Sequence, residues 1–219
     1  MAGMNTPSKQ ITIAALGDSI TQAVEVEEAQ RWPALLEVAL SNQIPDCDLQ
    51  VVNCGIGGNT SREGLARMEE VLSHQPNFVL VEFGGNDTTD DAERHVSREE
   101  FARNLQAMKQ QIESGGATMV LLTFPPVIND WSEEHTKPHH QSHGGGDGHV
   151  ERYRQLTRDF ASENGLHLID IDRALREAAK ESGWQKYLQP DGVHITESGN
   201  EIISEAVCKS LVESGLLTR

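Results

Sequence analysis

The sequence has few aromatic residues and no long apolar run. Aromatic residues occupy only 5% of its 219 positions, while hydrophobic residues make up 37% and charged residues 24%. This balance is typical of a globular protein rather than of a disordered one. No apolar run approaches the roughly 20 residues that a membrane-spanning helix needs, so we expect no membrane span.

Cysteine is scarce as well. The three cysteines, Cys47, Cys54 and Cys208, form no metal-binding or redox spacing, and their odd number suits a reducing compartment better than a disulfide framework. Residues 1–10 lack the basic start, apolar middle and small-residue cleavage site of a secretory signal. We therefore expect a cytoplasmic protein.

Positively charged residues are few as well. Lysine and arginine number 18 against 34 aspartates and glutamates, which gives a formal net charge of −16. Such a charge repels phosphate backbones and anionic lipid surfaces, so nucleic acid is not an expected partner. A small-molecule substrate fits this composition better.

Strand-like and helix-like segments alternate along the chain. Five short apolar runs predict buried strands, at residues 11–16, 49–53, 78–83, 119–124 and 166–171. Segments with helical spacing lie between and after them, at residues 32–40, 61–72, 97–112, 150–163, 172–181 and 197–212. This alternation predicts one α/β domain over residues 10–219, with a parallel sheet covered on both faces, behind a flexible tail of residues 1–9.

One stretch, residues 127–149, departs from this pattern. It contains Pro138, three consecutive glycines from Gly144 and five of the nine histidines. The stretch is too long and too polar for a tight connection. We expect an exposed loop or lid over one end of the sheet.

A serine follows the first predicted strand, in residues 17–21 (GDSIT). This position puts Ser19 at the carboxyl edge of the sheet, where doubly wound sheets bind ligands. Gly-Asp-Ser is also an ordinary turn sequence, so the motif alone carries little weight. The G-x-S-x-G elbow is absent around Ser19, which argues against the α/β-hydrolase fold.

Two glycine-containing loops follow the next two strands, at residues 53–60 (NCGIGGNT) and 84–87 (GGND). Glycines let backbone N–H groups approach a developing oxyanion, and the Asn86 side chain can donate to the same charge. The first loop does not match G-x-G-x-x-G, and no Walker lysine follows, so phosphate binding is the poorer interpretation. Taken alone, Gly-Asn-Asp is a common turn former.

A carboxylate and an imidazole lie close together in residues 190–194 (PDGVH), before the last predicted helix. Asp191 can hold the Nδ1–H of His194 and leave Nε2 free to take a proton from a serine. An isolated histidine would more often be structural. However, all four motifs fall in loops at one sheet edge and together supply every part that acyl transfer requires.

In this order, the four motifs resemble those of the SGNH hydrolase family, also called GDSL esterases or lipases. The resemblance covers residues 11–207. It implies a three-layer α/β/α flavodoxin-like fold with a five-stranded parallel sheet in the strand order 2-1-3-4-5.

The resemblance also implies roles for individual residues. Ser19 looks like the nucleophile, with Asp191 and His194 completing the catalytic triad. The oxyanion hole would be formed by Ser19, Gly58 and Asn86. No cofactor is implied.

The expected function is hydrolysis of small or short-chain acyl esters, including acetyl groups on carbohydrates, through an acyl-enzyme. Residues 31–36 (RWPALL) and 64–67 (GLAR) are similar to segments of the bacterial thioesterase I/lysophospholipase branch. An acyl thioesterase or lysophospholipase is therefore the alternative.

Other classes of function stay open at the level of sequence. One is a metal site on a non-catalytic scaffold, whose candidate ligands are His135, His139, His140, His143, His149 and Asp147. Against it, Pro138 and the glycines from Gly144 leave room for only a marginal helix. The others are a non-catalytic carbohydrate- or lipid-binding protein and a nucleotide-binding flavodoxin-like domain; the glycine pattern and the negative charge both oppose the latter.

Overall fold

The computed structural model describes residues 9–218, and a five-stranded parallel sheet lies at its centre. The strands are β1 (Lys9–Gly17), β2 (Cys47–Gly55), β3 (Phe78–Glu82), β4 (Thr118–Leu122) and β5 (His167–Ile169). They lie in the order β2-β1-β3-β4-β5, and every neighbouring pair is parallel. The expected strand order 2-1-3-4-5 is confirmed.

Helices cover both faces of the sheet. They are α1 (Ser19–Gln22), α2 (Trp32–Gln43), α3 (Ser61–Ala66), α4 (Met68–Ser73), α5 (Arg98–Ser114), α6 (Pro138–Gln141), α7 (Gly145–Asn164), α8 (Ile171–Ser182) and α9 (Glu197–Glu213). Within residues 9–218, none of them is long and apolar enough to cross a membrane.

Alternate residues of β1 pack in two separate apolar cores, one on each face of the sheet. Ile11 and Ile13 pack with residues of α2, α8 and α9 on one face, while Ala14 and Leu16 pack with residues of α4, α5 and α7 on the other. Successive side chains of a strand point to opposite faces, so a strand buried on both faces must be apolar at nearly every position. This is why β1 appears in the sequence as a continuous apolar run.

The predicted elements are all present, with shifted bounds. The helix predicted over residues 61–72 is two helices, α3 and α4, which meet at Arg67. The strand predicted over residues 166–171 ends at Ile169, because Asp170 caps α8 by accepting a hydrogen bond from the backbone N–H of Arg173. Of the predicted tail, residues 1–8 lie outside the described residues, and Lys9 begins β1.

Residues 127–149, expected as an exposed loop or lid, are partly helical and partly buried. This segment, called the histidine segment below, contains two 3₁₀ turns, helix α6 and the first turn of α7. Three of its histidines are buried, His135, His140 and His149. Gly144 and Gly145 have φ values of +84° and +88°, which lets the chain turn directly from α6 into α7.

A buried arginine fixes the histidine segment to the sheet. The Arg154 side chain is fully buried; its Nε donates to the carbonyl oxygen of Phe124 at 3.0 Å and its Nη2 to that of Pro125 at 2.7 Å. Nη2 also lies 2.7 Å from Oδ1 of Asp147, which in turn pairs with Arg176 of α8. One guanidinium thereby joins α7 to the chain that leaves β4.

Replacing Arg154 with methionine should lower the free energy of unfolding by about 3–5 kcal/mol, because the change removes the buried donor of two carbonyl oxygens and one of the two arginines that pair with Asp147. Urea denaturation measures the loss. Lys180→Met is the control, since Lys180 pairs with Glu177 at an exposed site and should cost less than about 1 kcal/mol. Equal losses in the two variants would contradict this account of Arg154.

Candidate active site

Ser19 lies at the carboxyl end of β1, in the first position of α1. The Asp18 side chain caps this short helix by accepting from the backbone N–H of Ile20 at 2.9 Å. The ends of β1 and β2 press closely against α1: a Cβ added at Gly55 would lie 2.2 Å from the backbone nitrogen of Gln22. Glycine at this position therefore permits the close approach that holds Ser19 at the sheet edge.

The two other predicted triad residues meet Ser19 at this edge. His194 Nε2 lies 3.0 Å from Ser19 Oγ, and His194 Nδ1 lies 2.6 Å from Asp191 Oδ2. The other carboxylate oxygen, Asp191 Oδ1, accepts from the backbone N–H groups of Val193 at 2.9 Å and His194 at 3.0 Å. The sequence-based prediction that these three side chains come together therefore agrees with the observed geometry.

The Asp191 carboxylate is suited to remain ionised. Partial burial acts to raise its pKa, but hydrogen bonds from the His194 side chain and from two backbone N–H groups lower the pKa below its ordinary value. A carboxylate that accepts the Nδ1–H fixes the tautomer in which Nε2 is the proton acceptor. The arrangement can thus activate a serine hydroxyl.

The first glycine loop lies beside the serine. A Cβ added at Gly57 would be 3.7 Å from Ser19 Cβ, and the Gly57 N–H donates to Gln22 Oε1 at 2.9 Å. Gly58 has a φ of +79°, a left-handed conformation that favours glycine. Within residues 9–218 its N–H has no hydrogen-bond partner, and the N–H of Ser19, at the first position of a helix, has no acceptor within that helix.

The side-chain amide nitrogen of Asn86 makes two hydrogen bonds. Its Nδ2 donates to Asp18 Oδ2 at 2.9 Å and to the carbonyl oxygen of Asn59 at 3.2 Å. Asp18 therefore links the cap of α1 to the amide of Asn86. The three residues predicted to form an oxyanion hole lie on the three loops that follow β1, β2 and β3.

Three buried carboxyl groups lie beneath this site: Asp18, Glu82 and Asp87. Burial raises the pKa of Asp18 to about 7 and that of Asp87 to about 6. Burial, reinforced by the Asp18 charge, raises the pKa of Glu82 well above its ordinary value. Glu82 Oε2 accepts from Thr21 Oγ1 at 3.1 Å, whereas its Oε1 has no partner in the described structure.

A cavity of about 340 Å³ adjoins Ser19 and His194. Its apolar lining consists mainly of Phe124, Val127 and Val150, which are all buried. The histidine segment supplies much of the polar lining, from Ser132, Glu134, His135 and His140. The segment therefore forms a wall of the candidate substrate site, as the expected lid would.

Sequence reasoning missed a second acidic group at the histidine. Glu25, in the loop after α1, places Oε1 3.7 Å from His194 Nε2. No motif marks this position, because the contact depends on how the loop folds back over the sheet edge. Its carboxylate lies where it can stabilise a positive charge on the imidazole.

The histidine rings of the segment pack against one another. His140 Nδ1 lies 2.9 Å from His149 Nδ1, and the ring centroids of His139 and His140 are 3.7 Å apart. Burial, together with neighbouring histidines, lowers the pKa of His140 to about 4 and that of His149 to about 3. These two rings are therefore neutral at physiological pH.

The metal-site alternative finds no support in the geometry. Across residues 9–218, no group of three or more histidine, cysteine, aspartate or glutamate side chains is arranged to hold a metal ion. Asp147, one of the candidate ligands, is bound by Arg154 and Arg176. His143 contacts Arg152 Nη1 through Nδ1 at 2.8 Å.

The buried acids predict that replacing Glu82 with glutamine makes stability less dependent on pH. A carboxyl group that ionises near pH 4 in the unfolded chain and at higher pH when folded binds more protons in the folded state, so the free energy of unfolding falls as pH rises between those values. Replacing Glu82 removes its contribution to this decrease in the free energy of unfolding. It also relieves the charge repulsion between Glu82 and Asp18. Urea unfolding from pH 5 to pH 8 measures the slope.

The slope of the variant is compared with that of the parent protein, because two buried histidines with lowered pKa values, His140 and His149, act in the opposite direction within this pH range. Glu181→Gln, at an exposed helix position, serves as the control and should leave the slope unchanged. If Glu82→Gln leaves the slope of the parent protein intact, Glu82 does not titrate as described.

Comparisons with known proteins agree with this geometry. The model of the GDSL-like lipase/acylhydrolase family matches residues 15–202. Esterase TesA of Pseudomonas aeruginosa is 37% identical over 186 residues, which cover 84% of this chain and 79% of that protein. Thioesterase 1/protease 1/lysophospholipase L1 of Escherichia coli K12 is 27% identical over 201 residues, covering 91% and 83%.

Among solved structures, the acetylxylan esterase Axe2 of Geobacillus stearothermophilus superimposes with a TM-score of 0.74. The match covers 94% of this chain and 96% of the other at 22% identity. At that level of identity, the likeness supports the fold.

Proposed function

The chain belongs to the GDSL-like lipase/acylhydrolase family and is a serine ester hydrolase, and we propose that Ser19 is its nucleophile, His194 its general base and Asp191 the carboxylate that orients the imidazole. The observation that carries this proposal is the continuous hydrogen-bonded line from Ser19 Oγ through His194 to Asp191. Family membership as an ester hydrolase sets aside the non-catalytic and nucleotide-binding alternatives.

The proposed reaction has two stages. His194 Nε2 takes the hydroxyl proton as Ser19 Oγ attacks the ester carbonyl carbon, and Asp191 stabilises the imidazolium. When the tetrahedral intermediate collapses, the bond to the alcohol oxygen breaks and that oxygen takes the proton from His194. Water then attacks the acyl-serine, with His194 again as base, which releases the acid and restores the Ser19 hydroxyl.

The oxyanion formed at each stage would be bound by the backbone N–H groups of Ser19 and Gly58 and by Nδ2 of Asn86. Asp18 supports this role because it holds the Asn86 amide in place at 2.9 Å. The longer contact of Nδ2, at 3.2 Å to the carbonyl oxygen of Asn59, is the one that we expect the oxyanion to replace. Donors positioned in advance stabilise the transition state without a large reorganisation.

The proposed substrates are small or short-chain acyl esters, including acetylated carbohydrates. The cavity of about 340 Å³ beside Ser19 supports this range, since the histidine segment limits its extent. Acyl thioesters and lysophospholipids form the second candidate class, which the similarity to thioesterase 1/protease 1/lysophospholipase L1 of Escherichia coli favours. The net charge of −16 disfavours polyanionic substrates.

Two further proposals concern the whole chain. Residues 10–219 form one domain, which is supported by two apolar cores that share one sheet. The compartment is the cytoplasm, which is supported by the free state of the three cysteines, Cys47, Cys54 and Cys208.

Replacing Ser19 with alanine should lower kcat by on the order of 10⁴–10⁶, because the covalent route is lost. His194→Ala should fall in the same range, and the double variant should be no worse than the single ones. Hydrolysis of p-nitrophenyl acetate, butyrate and octanoate, an acyl thioester and an acetylated xylose measures both the loss and the preferred class. Ser142→Ala, at an exposed position of the histidine segment, is the control, and turnover that survives in Ser19→Ala would refute the assignment.

Replacing Asn86 with alanine should lower kcat by about 10²–10³. KM should change little, because the lost donor acts on charge that develops only in the transition state. Steady-state kinetics on p-nitrophenyl acetate separate the two parameters. Asn42→Ala, at an exposed position of α2, is the matched control; a KM effect without a kcat effect would remove Asn86 from the oxyanion hole.

A further inference from the structure

Two buried histidines of the histidine segment form part of the wall of the cavity beside Ser19. His135 is 7% exposed and His140 is 6% exposed, and both line this cavity. Buried polar side chains normally have partners for all their polar atoms. In each of these two rings, Nδ1 has a partner within the protein. The other nitrogen, Nε2, is therefore the atom that can bind a ligand in the cavity.

The tautomer of His135 follows from its single internal contact. Its Nδ1 lies 3.1 Å from the carbonyl oxygen of Ile128, and a carbonyl oxygen can only accept, so Nδ1 carries the hydrogen. In the neutral ring Nε2 is then a bare acceptor, and within residues 9–218 it receives no hydrogen bond. The other side of the residue packs closely on Gly146, where an added Cβ would lie 3.0 Å from His135 Cβ.

Nε2 of His140 can be either a hydrogen-bond donor or an acceptor. Its Nδ1 and that of His149 are 2.9 Å apart, and one of the two must donate while the other accepts. If His140 Nδ1 donates, its Nε2 is an acceptor; if it accepts, its Nε2 is a donor. The cavity wall therefore offers one fixed acceptor and one group that adapts to its ligand.

A hydroxyl group matches this pair, because it donates one hydrogen bond and also accepts. A carboxylate or phosphate does not match, since it cannot donate to His135 and would lie near the Glu134 carboxylate in the same wall. The apolar lining formed by Phe124, Val127 and Val150 suits the carbon skeleton that carries the hydroxyl. The cavity is thus apolar on one side and equipped for hydroxyl recognition on the other.

We propose that this cavity receives a hydroxyl-bearing portion of the ester, and that Nε2 of His135 is the acceptor that selects for it. This inference rests on the proposed function, because it assumes that Ser19 is the nucleophile beside the cavity. The hydroxyl can belong to the alcohol portion, as in a polyol or sugar ester, or to the acyl portion, as in a hydroxyacyl ester. The chemistry of recognition is the same in both.

The test measures kcat/KM on two pairs of esters with the parent protein and with His135→Phe. Glycerol monoacetate is compared with ethyl acetate, and ethyl lactate with ethyl propionate. The phenylalanine keeps a planar ring and removes the acceptor, so the preference for the hydroxylated member of one pair should fall about 10-fold, the scale of one neutral hydrogen bond in a desolvated site. A fall in the first pair assigns the hydroxyl to the alcohol portion, and a fall in the second assigns it to the acyl portion.

His74→Phe is the control, since His74 is an exposed histidine at the end of α4 that does not line this cavity; both preferences should stay within about 2-fold of the parent values. His135→Gln, which keeps an acceptor oxygen, should restore part of the preference. Thermal unfolding checks the fold of each variant. If the phenylalanine variant does not fold, the glutamine variant is decisive: a preference below that of the parent protein supports the inference, and a preference equal to it overturns the inference.

Preferences unchanged within about 2-fold in a folded His135→Phe protein would overturn the inference. A parent protein that hydrolyses all four esters without preference for a hydroxyl would overturn it as well, while leaving the proposed function intact. Turnover that persists in Ser19→Ala would instead overturn the proposed function, so the two failures are distinguishable.

Discussion

The proposed chemistry depends on one contact, the 3.0 Å approach of His194 Nε2 to Ser19 Oγ across 175 positions of sequence. Every feature of the sheet edge contributes to it. The parallel arrangement of the strands brings the loops after β1, β2 and β3 to one side, and glycine at position 55 lets β2 approach α1 closely. Asp191 accepts two hydrogen bonds from backbone N–H groups of its own loop, which hold the carboxylate in place, and it fixes the imidazole ring through the contact with Nδ1.

The buried carboxyl groups of the site lower the stability of the folded protein. Asp18 orients Asn86 and caps α1, so it must be buried next to the nucleophile. Burial of Asp18 beside Glu82 opposes the ionisation of both, and this is the direction in which their pKa values move. Functional sites commonly retain such unfavourable charge interactions because the geometry of the site requires them.

The sequence predicts the sheet and the triad because both are encoded locally. The apolar runs of the strands and the four motifs, from residues 17–21 to 190–194, each identify their own loop, and the parallel sheet places those loops together. The histidine segment is different, since its burial depends on contacts that Arg154 makes with the chain after β4. Glu25 escaped detection for the same reason: no local pattern indicates that it folds back towards His194.

The way in which Arg154 holds the histidine segment separates anchoring from recognition. It binds backbone carbonyl oxygens and Asp147, and none of the side chains that line the cavity from residues 132–140 is among its partners. Substitutions at those positions therefore remove none of the contacts that Arg154 makes. In protein engineering, residues 132–140 are therefore the positions at which to change the substrate range of this fold without altering the contacts of Arg154.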